Sequence, residues 1–366
     1  WAPQTFYNTS NGLINNRTGT VAQDKAGYMW VGTDNGICCY DGRKFTFFPG
    51  RNRRFYFAHS YATFYKQYAV LGTSGEGVAL CHRNKVLFRR FKGCEQVYII
   101  AAVALSDHSF LLATTQKNGI LLVRDSVASP VKLPEAFLAR ITACLIVDKD
   151  SKGNIWVGTD SGLLVFPKGD LNKPFVLRGM QGKYINVLKE GRNGVMYAGA
   201  ATSLYSISDT SYTPLSECRL LCRKDSASIS SLETDKDHNI YIGYSYNYNN
   251  TLIRLSPDGK QTSLLLDNTN YPWDLRFDRE ENLWAACENG LLKISQPYIK
   301  NYLAEAGNFP IAKSGIILND GSFLGNIGDK VYQISAERAI TRKCRGKIHA
   351  GYLEQRFSRR LTAKSG

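Results

Sequence analysis

The sequence feature that most constrains the fold of this chain is a short phrase that occurs three times. The copies are GYMWVGTDNG at 27–36, GNIWVGTDSG at 153–162 and the more distant ENLWAACENG at 281–290. Their tryptophans, Trp30, Trp156 and Trp284, are 126 and 128 residues apart. Both separations are close to three times a shorter period of about 42 residues, which indicates a repeat architecture.

Alignment on the small residue that follows the apolar pair of WVG gives eight units. The aligned residues are Gly32, Gly72, Ala113, Gly158, Gly199, Gly243, Ala286 and Gly325. Successive members are 40, 41, 45, 41, 44, 43 and 39 residues apart. Within each unit, alternating apolar strands are separated by turns rich in Asp, Asn, Gly and Lys. Helical periodicity is absent almost throughout, so we predict an all-β chain.

A period of this length containing four short strands is typical of a β-propeller. One four-stranded sheet cannot bury both of its faces, so blades stack around a central channel. A bulky side chain at the aligned small residue would push neighbouring blades apart. We predict a β-propeller of seven to eight four-stranded blades. Its structural repeat residues are Trp30, Gly32, Gly36, Trp156, Gly158, Gly162, Trp284 and Gly290.

The segment PQTFYN at 3–8 has no unit of its own, and we expect it to be the strand that closes the ring. If it joins the seventh unit (271–296), residues 309–340 begin a second propeller; if it joins the eighth, they form an eighth blade. The even spacing slightly favours eight blades. The predicted propeller spans 1–340, and residues 341–366 are expected to form a poorly packed basic tail.

The net charge of +15 is concentrated near the C-terminus. Residues 338–366 hold nine Lys or Arg and one acid, Glu354, which is +8 of that total. These residues show no helical stripe of positive charge, so we expect a solvated terminus and no nucleic acid partner. The chain also has no apolar run of about 18 residues that would span a bilayer as a helix.

Residues 12–48 resemble the two-component regulator propeller repeat. The matching positions are Gly12, Leu13, Asp24, Gly27, Trp30, Gly32, Thr33, Asn35, Gly36, Tyr40, Asp41 and Gly42. A second stretch, 146–166, matches through Asp148, Gly153, Trp156, Gly158, Thr159, Gly162 and Leu163. The Trp284 copy departs from the pattern, with Ala and Cys in place of Gly and Thr.

In that family, such propellers form the periplasmic sensor region of membrane-bound hybrid histidine kinases, and many respond to carbohydrate fragments. The resemblance therefore implies an extracytoplasmic, non-catalytic sensing module, the periplasmic or extracellular part of an inner-membrane receptor. It would recognise an oligosaccharide or mediate receptor assembly. It also implies a homodimer formed through the complete receptor, with membrane contact only through downstream segments. A chain that opens WAPQTFYNTS is expected to be processed or partial.

Catalytic and metal-binding motifs are weak. None of the five histidines has the spacing of a metal pair or follows a nucleophile motif, and only Cys218 and Cys222 hint at half of a metal site. The strings DKDSKGN (148–154) and DKDHN (235–239) resemble the opening of a calcium loop but lack its terminal glutamate. We predict no catalytic residue, no metal and no cofactor. A propeller polysaccharide lyase or hydrolase and a protein-interaction scaffold remain alternatives.

The sixth unit has an expanded loop after its second strand, YSYNYNNT at 244–251. In propellers, these loops gather around one end of the channel. Aromatic rings offer flat apolar faces to sugar rings, and amides supply hydrogen bonds. The predicted ligand contacts are Tyr244, Tyr246, Tyr248 and Asn249, joined by Tyr271 and Trp273 from the next blade.

Overall fold

The computed structural model describes residues 3–49, 62–74, 77–95, 97–115, 119–133, 140–208, 213, 217–224, 227–245, 250–260, 262–269 and 272–295, and four strands between 314 and 345. The regular secondary structure of the described part is almost entirely β, as predicted; its helical residues are two short 3-10 turns, Pro167–Gly169 and Arg178–Met180. Neither turn is long enough to cross a bilayer, and no other described segment is helical. The chain divides into two compact units, Trp1–Gln296 and Pro297–Gly366.

The first unit contains seven four-stranded antiparallel sheets, the blades of a propeller. The first strand, β1, is Gln4–Tyr7. Blade 1 is β2 Thr18–Gln23, β3 Met29–Thr33, β4 Gly36–Tyr40 and β5 Phe45–Pro49. Blade 2 is β6 Thr63–Tyr65, β7 Tyr68–Gly72, β8 Val78–His82 and β9 Lys85–Arg89. Blade 3 is β10 Ile99–Ser106, β11 Ser109–Thr114, β12 Ile120–Arg124 and β13 Val127–Pro130.

The later blades follow the same order. Blade 4 is β14 Cys144–Lys149, β15 Ile155–Thr159, β16 Gly162–Phe166 and β17 Phe175–Val176. Blade 5 is β18 Ile185–Glu190, β19 Met196–Ala200, β20 Ser203–Ile207 and β21 Cys218–Arg223. Blade 6 is β22 Ser228–Thr234, β23 Ile240–Ser245, β24 Asn250–Leu255 and β25 Thr262–Thr269. Blade 7 is β26 Pro272–Phe277, β27 Leu283–Cys287, β28 Gly290–Ile294 and the N-terminal β1.

The ring closes through β1. This strand pairs antiparallel with β28 in the register Gln4↔Ile294 to Tyr7↔Leu291, so the first strand of the chain completes the blade begun near residue 272. The propeller therefore has seven blades, the lower end of the predicted range. The slight preference for eight blades is wrong, because the closing strand joins the seventh unit and leaves the eighth outside that sheet.

The second unit contains a separate four-stranded antiparallel sheet. Its strands are β29 Ser314–Ile317, β30 Phe323–Ile327, β31 Lys330–Ile334 and β32 Ile340–Arg345. The domain boundary predicted between residues 340 and 341 falls inside β32. Residues 341–345 of the predicted tail are thus strand residues that pair with β31, and residues 346–366 lie outside the described part.

The aligned small residues lie where two blades approach most closely. A Cβ added to Gly72 would be 2.2 Å from the carbonyl oxygen of Ile99, and one added to Gly158 would be 2.5 Å from that of Ile185. Ile99 and Ile185 are the first residues of the inner strands of the following blades, β10 and β18. Glycine is required because the backbone of the next blade occupies the space of a side chain.

The repeated tryptophans are held by aspartates of the preceding hairpin turns. The Trp30 indole N–H donates to the Asp24 carboxylate over 3.1 Å. The Trp156–Asp150 and Trp284–Asp278 pairs repeat this bond at 2.9 and 2.7 Å. All three indoles are almost fully buried, so the carboxylates supply the partner that a buried N–H needs. The repeat phrase thus supplies the large packing residue, and an aspartate three residues before the phrase supplies its acceptor.

Candidate functional site

The inner strands of the seven blades place one equivalent side chain each near the axis of the ring. This position pairs across the sheet with the buried residue, usually aromatic, of the second strand. In blades 4 to 7 it holds a charged residue; the pairs are Asp148↔Trp156, Lys189↔Tyr197, Glu233↔Tyr241 and Arg276↔Trp284. In blades 1 to 3 it holds Ala22, Thr63 and Val103. One side of the channel is therefore charged, and the other is small or apolar.

The four charged residues, here called the charge arc, alternate in sign from blade 4 to blade 7. Lys189 Nζ lies 2.8 Å from Glu233 Oε2, and Arg276 Nη1 lies 4.0 Å from the same oxygen. The side chains of Lys189, Glu233 and Arg276 are only 19, 7 and 15% exposed. Alternation places each charge beside opposite ones, which offsets the cost of removing the charges from water.

Arg276 also connects blades that are not neighbours. Its Nη2 donates to the carbonyl of Ala62 in the chain leading into blade 2, over 2.8 Å. Its Nε lies 3.6 Å from the carboxylate of Asp274, which accepts bonds from the Thr20 hydroxyl and the Val21 N–H of blade 1. The guanidinium thus links the inner strand of blade 7 to the chain that enters blade 2, and through Asp274 to the inner strand of blade 1.

Burial perturbs two carboxyls of this region. The pKa of Asp148 is raised above its ordinary value of 3.8 by desolvation, and the positive charges of Arg276 and Lys189 lower it in part. Desolvation likewise raises the pKa of Asp274, against the opposing effects of Arg276 and the bonds from Val21 and Thr20. In both cases the desolvation cost exceeds the stabilisation from the neighbouring charges.

Two adjoining cavities of about 390 and 280 Å³ open at the C-terminal ends of the inner strands. Both are lined by Phe64, Lys189, Glu190 and Arg276, and together they take residues from all seven blades. We call this region the channel mouth. Two adjoining cavities that together receive residues from every blade surround the axis of the ring.

The channel mouth combines three kinds of contact. Phe64 is 55% exposed, and its ring gives a flat apolar face. Lys189 and Arg276 supply donors, while Glu190 supplies an acceptor and is itself held by the N–H of Ser151 at 2.7 Å. Such a set suits a small solute with many hydroxyl groups and one apolar face. Among the described residues, no group of three or more His, Cys, Asp or Glu side chains is arranged to hold a metal ion.

Of the predicted ligand contacts, only Tyr244 and Trp273 are among the described residues, and both lie near the N-terminal ends of inner strands, away from the channel mouth. Tyr244 is 1% exposed and packs in the core between blades 5 and 6, with Lys224 Nζ 5.1 Å from its ring centre. It therefore has no free ring face for a ligand, contrary to the prediction. Trp273 is half-buried. Four predicted contacts lie outside the described residues: Tyr246, Tyr248, Asn249 and Tyr271.

The two other sequence-level candidates have structural roles. The Asp150 carboxylate accepts the N–H groups of Lys152 and Asn154 at 3.0 and 2.7 Å, so it is engaged within its own hairpin. Asp235 makes the equivalent bonds in the DKDHN turn. Cys218 packs between blades 4 and 5, whereas Cys222 packs between blades 5 and 6. The eight described cysteines are all free thiols.

Comparison with known proteins agrees with the architecture. A sequence model described as "Two component regulator propeller" matches residues 12–35, which span the turn before blade 1 and its first two strands. No curated protein sequence matches the chain.

Solved structures match over most of the chain. The extracellular domain of a candidate hybrid two-component system from B. thetaiotaomicron has a TM-score of 0.61 at 15% identity, covering 94% of this chain and 48% of that one. A second such domain from B. thetaiotaomicron has a TM-score of 0.57 at 14% identity, covering 94% and 49%. Virginiamycin B lyase from Staphylococcus aureus has a TM-score of 0.62 at 11% identity, covering 81% and 100%.

The chain thus spans about half the length of the extracellular sensor domains that it matches. At these identities, the similarity demonstrates a common propeller fold. It does not distinguish a sensor from a lyase.

Proposed function

We propose that this chain, which carries the two-component regulator propeller repeat, is the ligand-sensing module of an extracytoplasmic two-component sensor. It binds a small polyhydroxyl solute, of the size of a carbohydrate fragment, at the channel mouth and does not transform it. In the complete receptor, occupancy of the channel would be passed to downstream segments through a change in assembly.

The observation that carries the proposal is the two-sided character of the channel mouth. A saccharide ring presents C–H groups on its faces and hydroxyl groups around its rim. Phe64 offers an exposed ring to the former, and Lys189, Glu190 and Arg276 offer charged donors and acceptors to the latter. Because these groups come from blades 2, 5 and 7, a bound solute would bridge three blades, which gives binding a means to alter the ring.

The test combines a thermal-shift screen of neutral mono- and oligosaccharides with calorimetry on the strongest hit. Phe64→Ala removes the ring face and is expected to weaken binding about tenfold. Phe47→Ala is the matched control, since Phe47 is 36% exposed on the outer strand β5, away from the axis. Equal binding by the wild type and the Phe64→Ala variant would exclude the channel mouth.

The predicted loop of blade 6 is tested in the same experiment. The variants Tyr246→Ala and Tyr248→Ala should leave binding unchanged if the ligand sits at the channel mouth. If they weaken binding and Phe64→Ala does not, the ligand site lies at the loop, as the sequence analysis expected.

A propeller lyase is the second candidate function, because virginiamycin B lyase shares the fold over its full length. Incubation of each stabilising saccharide with the protein, followed by chromatography, separates the two. We expect the ligand to be recovered intact. Conversion to a product would overturn the non-catalytic proposal. The location of the site would still be tested by the Phe64→Ala variant.

A further inference from the structure

A third cavity, of about 570 Å³, lies between blades 3 and 4. It opens at the same ends of the inner strands as the channel mouth, and Lys149 lines both. The outer edge of blade 4 is short, since β17 has only two residues, and the 3-10 turn Pro167–Gly169 that precedes it lines the cavity through Gly169. We call this cavity the blade 3–4 groove.

The rim of the groove is strongly basic. It carries four exposed cations, Arg124, Lys132, Lys149 and Lys168. None of the four forms an ion pair with another residue in the described part of the chain. Asp170, the one carboxylate among the described rim residues, lies 4.0 Å from Lys173 Nζ. Clustered positive charge without local compensation attracts an anionic partner.

The floor of the groove is aliphatic. It is formed by Leu105, Leu122, Val131, Ile155 and Leu171, and none of the described residues that line the cavity is aromatic. These residues offer a saccharide no ring on which to stack. An aliphatic side chain, in contrast, would be removed from water against five others.

The wall contributed by blade 4 is fixed in place. Lys168 has a left-handed backbone conformation, with φ of 49°, and its N–H donates to the Asn154 side chain over 2.9 Å. The Asn154 amide in turn donates to the buried Asp150 over 2.8 Å. An ordered wall loses little conformational entropy when a partner binds.

We propose that the blade 3–4 groove binds an acidic peptide segment of a partner protein, with an aliphatic side chain seated between flanking carboxylates. The carboxylates pair with the four rim cations, and the aliphatic group covers the floor. This inference goes beyond the proposed function and rests on residues other than Phe64 and the charge arc. The peptide site and the saccharide site can therefore be refuted independently of each other.

The probe is a fluorescein-labelled peptide of sequence EELEE, measured by anisotropy with the full chain. We expect saturable binding that weakens as salt is raised, since the rim contacts are exposed. The peptide EESEE should bind about tenfold more weakly, because it lacks the apolar anchor. KKLKK should not bind. Phe64→Ala should leave the affinity for EELEE unchanged.

The decisive variant is the double substitution Arg124→Glu/Lys168→Glu, which should weaken EELEE binding at least about tenfold. Its matched control is Lys85→Glu/Arg89→Glu, an equal change of charge on two exposed residues of the outer strand β9. Equal weakening by both variants would overturn the proposal, because it would reveal charge attraction without a site. Undetectable EELEE binding would overturn it as well. Trigalacturonate, an acidic saccharide, is tested as a competitor. If it displaces the labelled peptide at a lower concentration than unlabelled EELEE does, the groove binds acidic saccharides and the peptide proposal is overturned.

Discussion

At the scale of single residues, the charge arc is the least expected feature of the molecule. A propeller channel can be filled by small or apolar side chains, as Ala22, Thr63 and Val103 do on one side of this one. Placing Lys189 and Glu233 in the other wall costs desolvation energy, which a 2.8 Å ion pair only offsets. A polar wall of this kind adds little to stability. In the proposed function, its role is to supply polar contacts to the ligand.

Asp148 gives a test of this reasoning through pH. Its pKa is raised above 3.8 in the folded state, so the folded chain holds this proton more tightly than the unfolded chain does. The stability due to protonation is complete below about pH 3.8 and is lost as pH rises through the higher folded pKa. Urea denaturation should therefore find Asp148→Asn more stable than the wild type near neutral pH, with the difference shrinking as pH falls toward 4.

Asp41 is the control with the opposite sign. Its exposed carboxylate accepts the N–H groups of Arg43 and Lys44, and these bonds lower its pKa. Stability from this group is present above the unfolded pKa and disappears as pH falls through the folded one. Asp41→Asn should thus be less stable than the wild type at neutral pH and equal to it in acid. If the two variants change with pH in the same direction, the assigned burial of Asp148 is wrong.

The position of the charge arc could have been found in the sequence. Asp148, Lys189, Glu233 and Arg276 each precede the aligned small residue of their unit by ten positions. A charged residue at this position is therefore visible in the aligned units. The spacing alone, however, does not reveal that this strand faces the axis. The burial of Tyr244 was harder to predict from the sequence, because it depends on packing against the neighbouring blade. One contact there is with Cys222, whose Sγ lies 3.5 Å from the Tyr244 hydroxyl.

At the scale of strands, the sequence predicted both the aligned glycines and the reason for them, which is the close contact between neighbouring blades. Gly72→Ala places a Cβ against the carbonyl of Ile99, backbone that cannot rotate away. We expect a loss of about 1–3 kcal/mol in the free energy of unfolding, measured with urea. Ala286→Gly, at the aligned position of blade 7, should cost only about 0.5–1 kcal/mol, because it adds chain entropy without a clash.

Comparison of these two substitutions tests whether the aligned glycine is required for packing between blades. If Gly72→Ala is as well tolerated as Ala286→Gly, blades 2 and 3 can separate to admit a methyl group, and the aligned glycine is not a packing requirement.

The separation of Cys218 from Cys222 illustrates what a strand pattern alone misses. Residues four apart on a regular strand lie on the same face. In β21 the register shifts between Leu204↔Cys222 and Tyr205↔Leu220, leaving Leu221 as an extra residue. Because this bulge adds one residue, the side chains after it point to the other face of the sheet. The two thiols therefore lie on opposite faces of blade 5. No spacing rule predicts which strand contains the bulge.

At the scale of the whole molecule, the number of blades depends on one long-range pairing. Eight units follow each other at nearly equal spacing, so the repeat period cannot say which of them meets the N-terminal strand. The pairing of β1 with β28 is specified by side chains: the Tyr7 ring stacks on Trp284 with centroids 5.9 Å apart and planes 11° apart. Tyr7 also contacts the rings of Tyr40 and Phe45 in blade 1.

Closure by β1 predicts the effect of removing it. A chain lacking residues 1–8 loses the outer strand of blade 7 and the aromatic contacts that join blades 7 and 1. It should unfold about 5–10 °C below the intact chain in calorimetry. The synthetic peptide PQTFYN, residues 3–8, should restore most of this difference when added in excess, because a partner that binds only the folded ring stabilises it by mass action.

The peptide PQTFAN is the matched control, since it keeps the backbone of the strand but lacks the ring of Tyr7. It should restore clearly less stability, which would assign the specificity of closure to the Tyr7–Trp284 stack rather than to backbone pairing alone. Equal rescue by both peptides would instead indicate that any extended segment can complete blade 7. An unchanged unfolding temperature after the deletion would mean that the ring holds without β1, in which case the choice between seven and eight blades would not rest on this strand.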